Sequence, residues 1–340
     1  MIINTTFWHQ IPRPIIALAP MFDVTNVAFR QMIAQTAPAD VYFTEFVSAE
    51  ALNSRGYHAV IKMLDYTENQ RPIVAQIWGH TLTHLEAAAR IIADLGFDGI
   101  DLNMGCPQKS VLKHGVCSAL INDHPRAADI IAATKAGAGH LPVSVKTRIG
   151  FAEIQTEEWI GFLLTQDLPV ISIHGRTVAD MSRVPANWDE IAKAVHLRDQ
   201  INKETLIIGN GDVMNYWEGR ARVDQTGVDG VMIGRGLFQD IYALEKSPSP
   251  ETKTNPTQTQ RLQLLRQHLA LHTHHFNSGR HFALFKRLLK IYIREFDHAA
   301  QLRDQLINAP SPNHILDILT TFETTYPDPL LSHTEGSAIC

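Results

Sequence analysis

A short apolar run, a polar loop and a helical stretch follow one another repeatedly between residues 15 and 244. Most of the apolar runs are continuous in valine, isoleucine and leucine, as is typical of parallel strands covered on both faces. The expected strands are Ile15–Ala19, Val41–Thr44, Ile73–Ile77, Gly99–Leu102, Val143–Lys146, Val170–Ile173, Leu206–Ile208 and Gly230–Ile233. Eight strand–helix units in about 245 residues match the usual size of a (β/α)8 barrel, whereas a doubly wound open sheet rarely needs so many regular repeats. We therefore predict an α/β fold of the (β/α)8 TIM-barrel class.

Helical patterns lie between these strands, and glycines mark two of their expected ends. The clearest helices are Thr83–Leu95, Pro125–Lys135, Glu157–Thr165 and Trp188–His196. Gly96 and Gly137 stand where helix C-caps are expected, because glycine adopts the left-handed conformation there without strain.

The composition changes after the eighth unit. Residues 246–258 are rich in proline, serine and threonine and contain no large apolar residue, which indicates a linker. We predict a barrel over residues 1–245, a small all-helical domain over 259–325, and a poorly ordered tail over 326–340. Within the helical domain, the expected features are an apolar stripe at Leu262, Leu265, Leu269 and His272, an amphipathic pattern over Phe282–Phe296, and a last helix over Asn313–Phe322.

The overall composition argues against several classes of protein. Of the 340 residues, 45% are hydrophobic and 19% charged, an ordinary globular balance. No apolar stretch of about 18 residues is present, and the start lacks a basic segment before an apolar core, so neither a membrane helix nor a secretory signal is expected. The 3 cysteines, at positions 106, 117 and 340, are too few and too widely spaced for a disulfide framework or a cysteine-rich zinc site. We expect no metal, and a reducing cytoplasm as the location.

Polar residues follow nearly every expected strand, at the end of a barrel that supplies catalytic groups. They are Pro20-Met21-Phe22, Glu45, Gln76, Asn103-Met104-Gly105-Cys106-Pro107, Lys146 with Arg148, His174-Gly175-Arg176-Thr177, Gly209-Asn210-Gly211-Asp212 and Gly234-Arg235-Gly236. This alignment at one end of the barrel is the strongest internal indication of an enzyme. The residues leave open whether Glu45 orients a group at the mouth or pairs with an arginine.

The glycine-rich turns after the last two strands are typical of a phosphate site. Glycines let backbone N–H groups approach an anion, and Arg235 adds a charge-assisted contact. The alternative is that they only make tight turns. No Gly-x-Gly-x-x-Gly segment opens a helix after a strand, which argues against a dinucleotide held in a Rossmann unit.

Two polar residues on otherwise apolar strands suggest a flavin ring. A lysine such as Lys146 is costly to bury without an acceptor, and the pyrimidine edge of a flavin offers one. Gln76 can both donate and accept on that edge. The alternative is a solvent-facing strand end. His174, with Arg176 two residues on, is either a hydrogen-bonded core histidine or part of a site for a shared anionic ligand.

Cys106 is the candidate catalytic residue. A lone cysteine is most often buried packing, but Cys106 stands at the barrel mouth between Gly105 and Pro107, which favours a reactive or proton-donating thiol. Cys117 precedes an apolar stretch and is expected to pack, and Cys340 lies in the tail.

These motifs together resemble the tRNA-dihydrouridine synthase family. The matching elements are Ala19-Pro20-Met21, Asp101 to Pro107, Val145-Lys146-Thr147-Arg148, His174 to Thr177, Gly209 to Asp212 and Ile233 to Gly236, in the family's order over about residues 15–240. Leu265 to His268 and Lys286 extend the resemblance into the helical domain. The Asn-x-Gly-Cys-Pro element is the most specific, because the two phosphate loops are shared with other FMN barrels. One departure is that Ser182 and Val184 stand where the family commonly has tyrosine and glycine, which affects the loop over the substrate.

The resemblance implies a cofactor, a substrate and residue roles. FMN would be held by Pro20, Met21, Phe22, Gln76, Lys146, His174, Asn210, Gly211, Asp212, Gly234 and Arg235. NADPH, or NADH, would reduce it, hydride would pass to C6 of a uracil flipped out of tRNA, and Cys106 would protonate C5. Asn103 would orient the uracil, and the residues expected at the RNA are Arg148, Arg176, Lys286, Arg287 and Lys290. A monomer is expected.

The charge distribution is compatible with an RNA partner. The whole chain carries a formal charge of −5, yet residues 261–303 hold eight basic and two acidic residues. Lys286, Lys290 and Arg294 recur every fourth residue and are expected on one helix face, and six histidines of the segment would add charge below about pH 6.5. Two alternatives remain: an FMN barrel that acts on a small molecule of the dihydroorotate or enoate type, and a non-catalytic RNA-binding protein.

Overall fold

The computed structural model describes residues 6–276 and 278–328. The chain divides into two compact units, one comprising Met1–Val27 and Ala39–Gly236, the other Ala28–Pro38 and Leu237–Cys340. The second unit therefore takes in a segment from near the start of the chain, which the composition did not indicate. Most of the expected tail, residues 329–340 with Cys340, lies outside the described residues.

The first unit is built on a parallel sheet, which confirms the predicted (β/α)8 barrel. Its strands are β1 (Ile15–Leu18), β2 (Tyr42–Phe43), β3 (Val47–Ser48), β4 (Ile73–Trp78), β5 (Gly99–Met104), β6 (Val143–Arg148), β7 (Val170–His174), β8 (Leu206–Asn210) and β9 (Gly230–Ile233). They lie in the order β1-β9-β8-β7-β6-β5-β4-β2, and β3 also pairs with β4. A parallel bridge between Ala17 and Val41 joins the two ends of this order. The second barrel position is thus split into two short strands, β2 and β3.

The helices lie between the strands and throughout the second unit. They are α1 (Phe7–Gln10), α2 (Val27–Thr36), α3 (Ala49–Leu52), α4 (Tyr57–Val60), α5 (Leu82–Asp94), α6 (Lys109–Leu112), α7 (His124–Ala138), α8 (Gly161–Leu164), α9 (Trp188–Ile201), α10 (Tyr216–Thr226), α11 (Gln258–His275), α12 (Gly279–Lys286), α13 (Leu289–Tyr292), α14 (Ala299–Ile307) and α15 (Pro312–Thr325). Short 3-10 turns cover Ile61–Leu64, Glu68–Gln70, Cys117–Asn122, Arg235–Phe238 and Pro250–Thr252, and a π turn, Thr156–Ile160, precedes α8. None of the described helices is long and apolar enough to cross a membrane.

The lower part of the barrel interior is apolar. Side chains from alternate strand positions form one buried cluster: Trp8, Ile15, Ala17, Ala19, Val41, Phe43, Val74, Val170, Leu206, Ile208 and Met232. Because alternate residues of a strand face the same side, the interior position that follows Val74 is Gln76, and the one that follows Ile208 is Asn210. The apolar interior therefore gives way to polar side chains toward the carboxyl ends of the strands.

The two glycines expected at helix ends behave differently. Gly96 directly follows Leu95, the C-cap residue of α5, and has a φ of +77°, which is the left-handed conformation expected of a glycine after a helix. Gly137 lies inside α7, which ends at Gly139 instead, so that prediction was wrong. A Cβ on Gly137 would lie 2.0 Å from the carbonyl oxygen of Glu86 in α5. Gly137 is therefore explained by the close approach of two helices and not by a helix end.

The second unit is helical as predicted, but its helices are shorter than the sequence pattern indicated. Leu262, Leu265 and Leu269 are buried on α11 as expected. The pattern over 282–296 is not one helix, because α12 ends at Lys286 and α13 covers only Leu289–Tyr292. The last helix begins at Pro312, whose missing N–H is tolerated in the first turn.

Candidate active site

A cleft of about 170 Å³ opens at the carboxyl ends of the barrel strands. Nine of the eleven residues expected around a flavin line it: Pro20, Met21, Lys146, His174, Asn210, Gly211, Asp212, Gly234 and Arg235. Ser182, one of the two positions that depart from the family pattern, lines it as well. The carboxyl ends of several strands thus bring distant parts of the sequence into one site.

Phe22 and Gln76 are not among the described lining residues of this cleft. The Phe22 side chain is 43% exposed and packs on Phe46, with ring centroids 5.3 Å apart. Its expected contact with the flavin stays a prediction. The Glu45 carboxylate accepts a 2.6 Å hydrogen bond from the backbone N–H of Asp23, so it ties the loops after β1 and β2 together.

Lys146 is half-buried and lines the cleft. Its Nζ donates to Oδ1 of Asn210 at 3.1 Å, and Nδ2 of Asn210 donates to the Met232 carbonyl at 2.8 Å. Burial, with a smaller contribution from the Arg148 charge, lowers the pKa of Lys146 to about 8. The ammonium retains further N–H donors beyond its bond to Asn210, so it can hold an acceptor in the cleft.

His174 is held as a neutral ring with a defined tautomer. Nη1 of Arg176 lies 3.1 Å from Nε2 of His174, and a guanidinium can only donate. Burial, reinforced by the neighbouring Lys146 and arginine charges, lowers the pKa of His174 to about 2. The ring proton therefore resides on Nδ1, which makes that atom a donor.

Asp212 joins two arginines at the expected phosphate end of the cleft. Its carboxylate pairs with Arg176, at 2.5 Å, and with Arg235. Arg176 is only 3% exposed, and its Nε also donates to the Val184 carbonyl. The structure thus gives the Arg176 guanidinium partners within the protein, and its expected contact with RNA stays a prediction.

The two glycines of the phosphate loops pack closely against neighbouring side chains. Gly211 has a φ of +126°, and a Cβ on it would lie 2.6 Å from Cβ of Ala186. A Cβ on Gly234 would lie 3.1 Å from Cβ of Ala19 and 3.2 Å from the sulfur of Met21. Only glycine fits at Gly211, and both glycines line the cleft.

The loop that carries Cys106 is held at several points of its backbone. Oδ1 of Asn103 accepts from the N–H groups of Gly105 and Cys106, at 3.1 and 3.0 Å. The Ser118 hydroxyl donates to the Cys106 carbonyl at 2.7 Å, and Nε of Arg148 donates to the Gly105 carbonyl at 2.8 Å. The thiol therefore projects from a fixed loop.

Arg148 does not offer its charge to the surface. The side chain is 7% exposed, and Nη1 donates to the carbonyls of Thr177 and Met181, both at 3.1 Å. Together with the bond to the Gly105 carbonyl, these contacts tie the Cys106 loop to the loop after β7. The expected contact of Arg148 with RNA is therefore replaced by a role in holding both loops.

The thiol of Cys106 is protonated at neutral pH. Its side chain is 8% exposed, and burial raises the pKa of the thiol despite the opposing charges of Arg148 and Lys146. A thiol that keeps its proton is suited to donate it, more than to act as a nucleophile. Cys117 is 1% exposed and packs, as expected.

The sequence interpretation missed the buried polar groups behind this site. Asp101 is fully buried, accepts hydrogen bonds from Ser144 and Gln76, and has its pKa raised by burial to about 6. The signal was present, since an aspartate within the apolar run Ile100 to Leu102 requires buried partners. Among the described residues, no group of three or more histidine, cysteine, aspartate or glutamate side chains is arranged to hold a metal.

The second unit carries the basic residues that were expected at an RNA. Arg287 and Lys290 are exposed, Lys290 over the Phe238 ring, and Lys286 donates to the Ala309 carbonyl. The expectation that Lys286, Lys290 and Arg294 share one helix face is wrong, because α13 ends at Tyr292 and the non-helical Ile293, with a ψ of 83°, separates Arg294 from it. Other basic residues are paired within the unit: Arg261 with Glu295, Arg266 with Glu323, and Arg294 with Glu295.

A parallel barrel whose strand ends combine a cationic cleft with a fixed, protonated thiol defines the class of the protein as a (β/α)8-barrel enzyme. The sequence profile of the family described as dihydrouridine synthase matches residues 17–325. The chain is 41% identical over 325 residues to a probable tRNA-dihydrouridine synthase 2 of Bacillus subtilis, covering 95% of this chain and 98% of the relative. It is 42% identical over 320 residues to a probable tRNA-dihydrouridine synthase of Staphylococcus epidermidis, covering 93% and 96%. The chain belongs to the dihydrouridine synthase family.

Similarity to solved structures concerns the fold. A 2-naphthoyl-CoA reductase in complex with 2-naphthoyl-CoA superposes with a TM-score of 0.51 at 11% identity, over 67% of this chain and 49% of that chain. An old yellow enzyme homologue from Zymomonas mobilis gives a TM-score of 0.45 at 15% identity, over 72% and 94%. At these identities the first likeness supports the barrel fold alone.

Proposed function

We propose that this chain reduces the C5–C6 double bond of uridine in tRNA to dihydrouridine, with FMN as bound cofactor and NADPH as electron donor. The observation that carries the proposal is the Cys106 thiol, which burial keeps protonated, on a fixed loop that directly follows β5, where Asn103 pairs with Lys146 of the cleft. Family membership supports the same reaction, and the names of the relatives support tRNA as the substrate. The proposal includes a monomer that acts in the cytoplasm.

The chemistry of the cleft lining suits FMN. Gly211 and Gly234 line the cleft together with Arg235, a charge-assisted donor for a ribityl phosphate. Lys146 and the Nδ1–H of His174 supply donors for the acceptor atoms of a ring. Asn210 fixes Lys146 and would itself face the ribityl chain.

The residues of this chain divide the reaction between them. Bound FMN supplies the hydride, taken from NADPH, that reaches C6 of the uracil. Cys106 holds its proton until negative charge develops at C5, and then donates it there. Asn103 and Arg148 keep the loop that carries the thiol in place. Bound RNA would cover the cleft and exclude water from the Cys106 thiol.

The second unit supports RNA as the substrate. Among its exposed basic residues, Arg280 lies in α12, Arg287 directly follows α12 and Lys290 lies in α13, where they are available to phosphates. Contacts of this kind are strongly salt-dependent, because each one releases condensed counterions. The proposal therefore requires a Michaelis constant for tRNA that rises steeply with salt.

The proposal is tested with FMN-loaded protein, NADPH and tRNA from a strain that lacks dihydrouridine. We expect dihydrouridine at defined positions, mapped by mass spectrometry, and a Michaelis constant for tRNA that rises about tenfold or more between 50 and 200 mM salt. Turnover of dihydroorotate or of an enoate at a higher rate than tRNA would instead support the small-molecule alternative. A protein that does not bind FMN would contradict the proposal.

We expect the Arg235→Ala variant to bind FMN roughly 10- to 100-fold more weakly, since a hydrogen bond to a charged group contributes about 1.5–3 kcal/mol. Riboflavin lacks the phosphate, so its affinity should change by less than about threefold. Both constants are measured by quenching of flavin fluorescence, with Arg183→Ala, an exposed arginine outside the cleft, as the matched control. Equal losses for FMN and riboflavin would place the phosphate elsewhere.

A further inference from the structure

A chain of hydrogen bonds begins deep inside the barrel at Asp101. Its Oδ1 accepts from the Ser144 hydroxyl at 2.6 Å, and its Oδ2 accepts from Nε2 of Gln76 at 2.8 Å. The three residues lie side by side on β4, β5 and β6, where Gln76 is paired with Asp101 and Asp101 with Ser144. All three side chains are at most 1% exposed, so water is not available to replace a lost partner.

The chain of hydrogen bonds continues outward from Gln76 to the loop that carries the Cys106 thiol. Oε1 of Gln76 accepts from Nδ2 of Asn103 at 3.0 Å. Oδ1 of Asn103 accepts from the backbone N–H groups of Gly105 and Cys106. The amide of Gln76 thus makes a hydrogen bond to a protein group at each end, and its expected contact with a flavin stays a prediction.

The direction of every bond in this chain is set by its two ends. A backbone N–H can only donate, so Asn103 must turn its oxygen toward the loop and its Nδ2 toward Gln76. A carboxylate can only accept, so Asp101 must face the Nε2 of Gln76. One orientation of both amides satisfies all partners, and reversing either amide would place like groups face to face.

We propose that Asp101 is a positioning residue for Cys106, acting through Gln76 and Asn103. This inference rests on the proposed function of Cys106 as proton donor. Asp101 fixes the amide of Gln76, Gln76 fixes Asn103, and Asn103 holds the two N–H groups that set the direction of the thiol. A proton donor displaced by about 1 Å can lose a factor of 10², so a defect at Asp101 is expected to reach the chemistry.

The test uses a pair of substitutions that first break and then rebuild the chain of hydrogen bonds. In Gln76→Glu, a second carboxyl group faces Asp101, and the two can hydrogen bond only while they share a proton. The hydrogen-bond chain is therefore broken once both groups are ionised, and for this reason all variants are compared at alkaline pH. Combining Gln76→Glu with Asp101→Asn restores the hydrogen-bond chain with donor and acceptor exchanged between positions 76 and 101. Nδ2 of the new asparagine donates to the new glutamate, which also accepts from Asn103. The Ser144 hydroxyl then donates to the asparagine oxygen. Asp101→Ala removes the anchor altogether.

We expect Gln76→Glu and Asp101→Ala to form dihydrouridine about 10²-fold more slowly, and the double variant to recover at least tenfold over Gln76→Glu. In the Asp101 single variants, whose side chain is not among the described residues that line the cleft, FMN affinity and NADPH oxidation without tRNA should stay within about fivefold of wild type. This control separates positioning of the thiol from damage to the cleft. Asp101→Asn alone should lose less than Gln76→Glu, since its amide can turn its oxygen toward Gln76. Unchanged rates in Asp101→Ala, or a double variant no better than Gln76→Glu, would overturn the inference.

A second readout does not depend on the reaction. In the apoprotein, the rate at which iodoacetamide alkylates Cys106 reports how firmly the loop is held, and mass spectrometry assigns the modified residue. We expect alkylation about tenfold faster in Gln76→Glu and a return toward the wild-type rate in the double variant. If Cys106 is not the proton donor, Cys106→Ala will still form dihydrouridine, while the alkylation rates of Gln76→Glu and the double variant will still differ. If the positioning role failed, the alkylation rates would not differ.

Discussion

Replacing Cys106 with alanine is expected to lower dihydrouridine formation by roughly 10²- to 10⁴-fold, the range that a positioned general acid contributes. Binding of FMN and oxidation of NADPH in the absence of tRNA should be retained, because Cys106 is not among the described residues that line the cleft. The measurement is a single-turnover experiment in which pre-reduced protein is mixed with tRNA and dihydrouridine is quantified over time.

The matched control is Cys117→Ala, the other buried cysteine of the described chain. Its packing position predicts a change in stability and little change in the rate of reduction. Cys106→Ser should also be slow, since a hydroxyl is a much weaker acid than a thiol. Undiminished product from Cys106→Ala would show that the proton comes from another group, and Cys117 would be the next to test.

The barrel and most of its cleft could be predicted because they depend on local features of the sequence. Continuous apolar runs identify parallel strands, and the carboxyl ends of such strands converge, so Lys146, His174 and Asn210 were expected together without any knowledge of distances. The exposed Phe22 shows the limit of this reasoning. A residue next to a strand end can turn outward, and its direction depends on which side chain, here Phe46, lies across from it.

What could not be predicted depends on contacts between distant segments. Gly137 looks like a helix end, and only the carbonyl of Glu86 on another helix explains why a side chain is excluded there. Arg148 and Arg176 have the residue type of RNA contacts, but backbone carbonyls and Asp212 bind them inside the protein. Residue type predicts that a charge needs a partner, and the fold decides whether that partner is a ligand or the protein itself.

The histidines of the second unit provide a case in which the protein environment reverses the expected effect of pH. Added positive charge below about pH 6.5 was expected from six histidines, but two of them are buried. His268 packs against Phe285 and shares a 2.8 Å hydrogen bond with the Tyr292 hydroxyl through Nδ1. Burial, with a smaller contribution from His272, lowers the pKa of His268 to about 3, and burial likewise lowers that of His272 to about 4. Both rings remain neutral over the range in which RNA binds.

The second unit is therefore expected to lose stability in mild acid. A histidine whose pKa is lower in the folded than in the unfolded chain stabilises the fold fully above about pH 6.5, and this contribution is lost as the pH falls toward the folded value. Between pH 7.5 and pH 4.5, each of the two rings should cost on the order of 2 kcal/mol. Hydrogen exchange of the α11 amides, corrected for the intrinsic effect of pH, measures this loss locally.

His268→Gln should remove about half of that pH dependence, because the glutamine amide can still bond to Tyr292 and does not titrate. The matched control is His274→Gln, an exposed histidine on the same helix, which should leave the pH dependence of α11 unchanged. Equal acid sensitivity in the two variants would show that carboxylates, rather than buried imidazoles, govern the acid lability of this unit. If the stability of α11 depends less on pH in His268→Gln than in His274→Gln and the wild type, the buried neutral imidazole of His268 is a cause of the loss of stability in acid.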